Sequence, residues 1–129
     1  MTKPVIDAVV IGRNEGNNLL DCLASLQNQV RQLVYVDSGS NDGSVIAARN
    51  MGAKVVELDM TLPFTAARAR NAGVAELQDD CELVQFVDGD CTLDPDWMTA
   101  ATTFLIDHPD AAVVCGRRRE RAAAIATST

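Results

Sequence analysis

Leu33-Val34-Tyr35-Val36-Asp37-Ser38-Gly39-Ser40-Asn41-Asp42-Gly43 is the stretch that decides the fold. A short apolar run stops at an acid and gives way to the densest turn signal in the chain. The run is apolar on both of its faces, which suits a strand covered on two sides, the state of a strand inside a parallel sheet. The pattern repeats on either side of it. Upstream, Val5 to Ile11 is a second apolar run broken only by Asp7, followed by a turn from Gly12 to Gly16. From Asn17 the period changes: Leu19, Leu20, Leu23, Leu26 and Val30 fall on one face of a helix running to about Gln29. Downstream, the spacing predicts a helix from Ser44 to Met51 with Gly52 as its C-terminal stop, then a third strand from Lys54 to Leu58. Asp59 to Phe64 is a loop holding Pro63. Thr65 can cap the next helix, whose inner face is Ala66, Ala67, Ala69, Ala72 and Ala75, with Leu77 at its end. Leu83 to Val87 is a fourth strand ending in Asp88-Gly89-Asp90. Asp94 and Pro95 then open a helix that buries Trp97, Met98, Ala101, Phe104 and Leu105 and closes at His108-Pro109. Ala111 to Cys115 reads as a fifth strand. Strict alternation of strand and helix with short connections predicts an α/β fold, an open and mostly parallel sheet with helices on both faces. The expectation is one domain over residues 1–120 and a flexible tail over 121–129.

Composition narrows the function. The chain has 129 residues, 47% of them hydrophobic and 22% charged, enough for a buried core. Its net charge of −7 argues against a general nucleic-acid binder, since phosphates repel it. An arginine cluster at 117–121 reads first as a solvated basic run. No apolar stretch approaches the ~20 residues of a membrane span, and the start shows no export signal. Cys22, Cys81, Cys91 and Cys115 lack zinc or redox spacing. Reduced, mostly buried thiols in a cytoplasmic protein are expected.

Ligands of such sheets bind outside the carboxyl ends of the strands. Here the first strand ends in Gly12-Arg13-Asn14-Glu15-Gly16, the second in Asp37-Ser38-Gly39-Ser40 and the fourth in Asp88-Gly89-Asp90, so polar function gathers on one rim. Two carboxylates as close as Asp88 and Asp90 repel unless one is protonated or a cation lies between them. Oxygen ligands favour Mg²⁺ or Mn²⁺, and Mg²⁺ commonly takes one or two protein carboxylates and leaves the rest of its shell to phosphates and water. The bland alternatives are a solvated turn capped by Asp90 and an Asp37 that only folds its own turn onto Gly39. Asp42 and Ser44 read as helix-cap chemistry, and His108 has no catalytic role. Arg68 and Arg70 lie about 200° apart around a helix, so one can face the ligand rim while the other does not. The spacing of Gly12 and Gly16 argues against a dinucleotide site, and no Gly-Lys-Ser/Thr phosphate loop occurs. Asp88-Gly89-Asp90-Cys91-Thr92 matches the first motif of haloacid-dehalogenase-type phosphatases. That motif should open the fold and be followed by a lysine, and no lysine follows Lys54.

Four blocks, Val9-Val10-Ile11-Gly12-Arg13-Asn14-Glu15, Tyr35 to Ser44, Ala69-Arg70-Asn71-Ala72-Gly73 and Gln85 to Asp90, resemble the family 2 glycosyltransferases in order and spacing. The resemblance covers nearly all of the chain up to Glu120 and implies a GT-A fold that uses a nucleotide-diphospho-sugar donor. It implies that Asp37 contacts the base or ribose and that Arg13, Asn14 and Glu15 line the same pocket, with Ser38 beside them. Arg70 would reach the nucleotide. Asp90 would be the more direct metal ligand, with Asp88 and Gly89 nearer the ribose. Sugar transfer would invert configuration and need a carboxylate base for the acceptor hydroxyl. Family members run on past this length, and no acid after Asp90 sits in a recognisable base motif. The chain is thus read as a truncated donor-binding half. The alternatives are a non-catalytic nucleotide-sugar-binding module and a subunit that needs a partner. In the GT-A fold a later strand lies beside the fourth; its absence predicts a homo-oligomer covering that edge, by exchange of Ala111 to Cys115.

Overall fold

A computed structural model of the chain describes residues 4–117 and 119. It divides into two compact units, Met1–Pro95 and Asp96–Thr129. The first unit holds β1 (Ile6–Gly12), α1 (Asn17–Leu26), β2 (Leu33–Asp37), α2 (Ser44–Asn50), β3 (Lys54–Glu57), α3 (Ala66–Val74) and β4 (Leu83–Asp88). Every strand pairing is parallel and the strand order is β3-β2-β1-β4. The chain therefore steps outward from β1 to β3 and crosses back to lay β4 on the other side of β1.

Burial follows from that placement. β1 and β2 are interior strands, and Ala8, Val9, Val10, Val34, Tyr35 and Val36 are fully buried. Val9, Ile11, Val34 and Val36 face one way and cluster with Ala69 of α3. Ala8, Val10 and Tyr35 alternate to the opposite face. They too are inaccessible, as are Leu19, Cys22, Leu23 and Leu26 of α1, so helices cover both faces. α3 lies close to the sheet because Gly73 faces it: a Cβ there would stand 2.4 Å from Val9 Cγ1 and 3.1 Å from Val36 Cγ2. The inner face of α3 is Ala66, Ala69, Ala72 and Gly73, while Ala67 and Ala75, expected inside, are exposed. Thr65 caps this helix as expected, its Oγ1 accepting the Arg68 N–H at 3.0 Å. α2 stops at Gly52, whose φ of 89° suits a residue without a Cβ.

At the amino end of the sheet the one break in β1, Asp7, is completely buried. Arg31 donates to both of its oxygens (Nη2 to Oδ2 at 2.7 Å, Nε to Oδ1 at 3.1 Å), and the Gln32 N–H donates to Oδ1 at 3.0 Å. Burial pushes the Asp7 carboxyl up, but Arg31, the Cys81 thiol and Gln32 together outweigh it and hold the group below its ordinary value.

The second unit carries α4 (Trp97–Asp107). Here three expectations are corrected. α4 begins at Trp97 with Asp96, not Asp94, as its cap residue, because Pro95 and Asp96 first make a turn. Met98 and Ala101 are buried, but Phe104 is 40% exposed and stacks on His108 at 4.0 Å, and Trp97 and Leu105 are only partly covered. Ala111 to Cys115 forms no strand, and Val113 is 73% exposed. A strand needs a neighbour's N–H and C=O groups, and among the described residues none pairs with this five-residue stretch. Nor are the thiols mostly buried: of the four free cysteines only Cys22 is. The expected tail, 121–129, lies outside the described residues.

Candidate functional site

The register sets the rim. Gly12 pairs with Asp37, and Ile11 pairs with Asp88, so three strand ends stand side by side at one edge. β1 is the strand from which the chain departs in both directions, and the crevice beyond its carboxyl end, between β1 and β4, is the switch point where such sheets bind ligands. A pocket of about 380 Å³ opens there. It is lined by Ile11, Gly12, Arg13, Glu15, Ser38, Met60, Phe64, Ala66, Arg70, Asp88, Gly89 and Asp90. That volume lies in the ~300–1,000 Å³ range of small-molecule sites.

Most of the candidate residues meet in this pocket: Arg13, Glu15, Ser38, Arg70, Asp88, Gly89 and Asp90. Asn14 and Asp37 do not line it, and the geometry shows what they do. Asp37 is 2% exposed. Its Oδ1 accepts from the Tyr35 hydroxyl at 2.7 Å and from the Ser40 hydroxyl, and its Oδ2 accepts the Ser40 N–H at 2.8 Å. It folds its turn onto Ser40, where Gly39 was expected. Ser40 Oγ then accepts the Asn14 N–H at 2.8 Å, and Asn14 Oδ1 accepts the Asn41 N–H at 2.8 Å. Asn14 has a φ of 51°, a left-handed conformation that asparagine tolerates better than most residues. Asp42 completes the clamp by accepting the Gly16 N–H at 3.0 Å and the Ser44 N–H at 3.0 Å, together with the Ser44 hydroxyl. The Ser44 hydroxyl, above all, holds the Asp42 carboxyl below its ordinary value. The loops after β1 and β2 are thus bound into one frame.

The acids lie against that frame. Beyond β4 the chain turns at Gly89, whose N–H still donates to Ile11 O at 2.8 Å, and the Cys91 N–H returns to Asp88 O at 2.9 Å. β4 ends at Asp88 and Gly89-Asp90 is a turn, yet Asp88 and Asp90 both reach the pocket wall. Arg70 Nη2 donates to Asp88 Oδ1 at 3.3 Å. Burial pushes the Glu15 carboxyl up, and the negative charges of Asp90, Asp88 and Asp42 add to the effect. Burial, reinforced by Cys91, Asp90, Asp88 and Glu15, raises the Cys22 thiol to about 12, so it stays protonated beneath the site. Among the described residues no group of three or more His, Cys, Asp or Glu side chains is placed to hold a metal ion. Oxygen donors on one wall of an open pocket suit a hard cation that keeps part of its shell for phosphate and water.

Met60 and Phe64 were legible only as part of a loop, and they line the pocket. The available signal was three large apolar residues, Met60, Leu62 and Phe64, in a segment assigned to no element.

The glycosyl transferase family 2 profile matches residues 7–124. A TPR repeat-containing protein of Synechococcus elongatus is 32% identical over 115 residues, which is 89% of this chain and 27% of that protein. The structure of TarS from S. aureus superposes with a TM-score of 0.62 at 23% identity, over 92% of this chain and 23% of that one. Glucosyl-3-phosphoglycerate synthase from Mycobacterium tuberculosis, solved with Mn²⁺, UDP and glucosyl-3-phosphoglycerate, superposes with a TM-score of 0.66 at 24% identity, over 79% of this chain and 39% of that one. The chain thus spans between about a quarter and two-fifths of these relatives' lengths. A D-x-D that ends the fourth strand, together with this profile, removes the phosphatase reading. Parallel four-stranded topology, the four blocks and the profile agree: the chain belongs to glycosyl transferase family 2 and has its GT-A-type fold.

Proposed function

We propose that the pocket binds a nucleotide-diphospho-sugar together with Mg²⁺ or Mn²⁺, and that the chain serves transfer of the sugar, with inversion, to an acceptor hydroxyl. One observation carries this reading: Asp88, Asp90, Glu15 and Arg70 converge in a single pocket at the switch point of the sheet. Asp90, with Asp88, would hold the cation, which when bound neutralises charge on the departing diphosphate. Arg70, already paired with Asp88, offers its remaining N–H groups to a phosphate. Ser38 is 4% exposed, it lines the pocket, and among the described residues its hydroxyl has no hydrogen-bond partner, which suits a polar contact to a ligand. Asp37 and Asn14 are assigned to the frame and act by positioning Arg13 and Glu15. The crystallised Mn²⁺–UDP complex of the mycobacterial relative supports this choice of ligands. Four free thiols suit a cytoplasmic setting.

Calorimetry with UDP, GDP and dTDP, with and without Mn²⁺, tests the reading. Binding should strengthen at least about tenfold with Mn²⁺, and Asp90→Ala should abolish that increment. An unchanged Mn²⁺ dependence in Asp90→Ala refutes the assignment. Metal-dependent binding with no sugar transfer to added acceptors would identify a donor-binding module or a subunit that needs a partner. The relatives' greater length favours keeping that second reading in the test.

A further inference from the structure

The pocket lining is of two chemical kinds: the charged Glu15, Arg70, Asp88 and Asp90, and the large apolar Met60 and Phe64. Met60 and Phe64 are 40% and 48% exposed, a cost in water that an apolar ligand face would remove. Both belong to the loop between β3 and α3, which has no ladder of its own. Arg68 organises it from the first turn of α3: Nη2 donates to Asp59 O at 2.7 Å, and Nη1 donates to Pro63 O at 3.3 Å and Leu62 O at 3.4 Å. Asp59 tightens the same loop by accepting the Thr61 N–H at 3.0 Å. Met60 in turn packs on the turn after β2, its Cγ 3.1 Å from where a Cβ on Gly39 would stand. The two arginines of α3 thus divide their work: Arg70 pairs with Asp88, and Arg68 turns back to the loop that carries Met60 and Phe64.

We infer that Arg68 is a positioning residue which fixes the 59–64 loop so that Met60 and Phe64 form the wall against which the planar base of the nucleotide packs. The inference rests on the nucleotide-sugar reading of this pocket. A base and a diphosphate are the two ends of one ligand, apolar-faced and anionic, and the pocket presents matching surfaces for both. A guanidinium is suited to the task because its fixed fork reaches several carbonyls at once.

Calorimetry of the full chain with Mn²⁺ separates the two ends by comparing UDP with inorganic pyrophosphate. Arg68→Met keeps the stem and removes the donors. It should weaken UDP about tenfold, the size of a lost base-stacking contact, and leave Mn²⁺–pyrophosphate unchanged. Arg68→Lys should recover part of the loss. Phe64→Ala, at an exposed position that does not endanger folding, should reproduce the pattern, and the double variant Arg68→Met/Phe64→Ala should be no worse than the poorer single one. Equal loss for UDP and pyrophosphate, or no loss for either, overturns the inference. Wild-type protein that binds neither ligand with Mn²⁺ overturns the underlying reading instead.

Discussion

Gly73→Ala should destabilise the chain, although alanine is the better helix former. In an exposed helix the change gains about 0.8–1 kcal/mol. Here the new methyl would lie 2.4 Å from Val9 Cγ1 and 3.1 Å from Val36 Cγ2. Comfortable carbon contacts are about 3.5–4.0 Å, so helix and sheet must part by roughly an ångström. Neither valine can swing aside: both are fully buried and β-branched, with few rotamers. Overpacking of this kind costs about 1–3 kcal/mol, and two blocked walls place it at the upper end. The net loss is about 1–2 kcal/mol, or roughly 4–8 °C in Tm for a chain of this size. Urea unfolding followed by circular dichroism measures it. Arg70 stands one turn before Gly73, so displacing α3 should also loosen its contact with Asp88 and lower affinity for Mn²⁺ with UDP. The decisive control is Val9→Ala, which removes the obstructing methyl. Gly73→Ala made in that background should be neutral or stabilising. If it costs as much there as in the wild type, or if it stabilises the wild type, the close approach of α3 to the sheet is not what Gly73 provides.

Asp7→Asn should cost about 1.5–3 kcal/mol, because it strips the charge from the bidentate pair with Arg31. Since the folded-state value of Asp7 is depressed, its contribution is present above about pH 4 and lost as pH falls further, and Asp7→Asn should flatten acid unfolding in that window; an unchanged acid limb refutes this. Tyr35→Phe should cost a similar amount by leaving the buried Asp37 carboxylate one donor short, and a thermal scan indistinguishable from wild type would show that the Tyr35–Asp37 bond is not made. Among the described residues no strand pairs with the outer edge of β4, on which Phe86 is 43% exposed, so light scattering at high concentration should show a dimer or larger assembly; a monomer counts against it.

Much of this architecture was legible from local pattern. The four strands and the caps at Thr65 and Gly52 follow from apolar runs, turn residues and left-handed glycine, all short-range effects. The gathering of Arg13, Glu15, Asp88 and Asp90 follows from the rule that parallel strands end on one side, whereas Arg70, on α3, was singled out only by the family resemblance. The fifth strand was not legible, because Ala111 to Cys115 has strand-like letters but pairing depends on a neighbour. Asp37 was ambiguous for a different reason: an acid at a strand end can face a ligand or its own turn, and its bonds to Tyr35 and Ser40 appear only in the folded chain. The loop that carries Met60 and Phe64 was not legible either, because its carbonyls meet an arginine five to nine residues further on. No periodicity encodes that contact.

The interlock of Asp37, Ser40, Asn14 and Asp42 has a thermodynamic consequence. Its polar groups find their mates while the polypeptide folds, so the frame behind the pocket is set before any ligand reaches it. In the proposed complex, association would forfeit little backbone freedom at these turns, and tightness would be governed by the side chains that line the pocket. A different ligand could then be accommodated by altering those lining side chains alone, with the frame left intact.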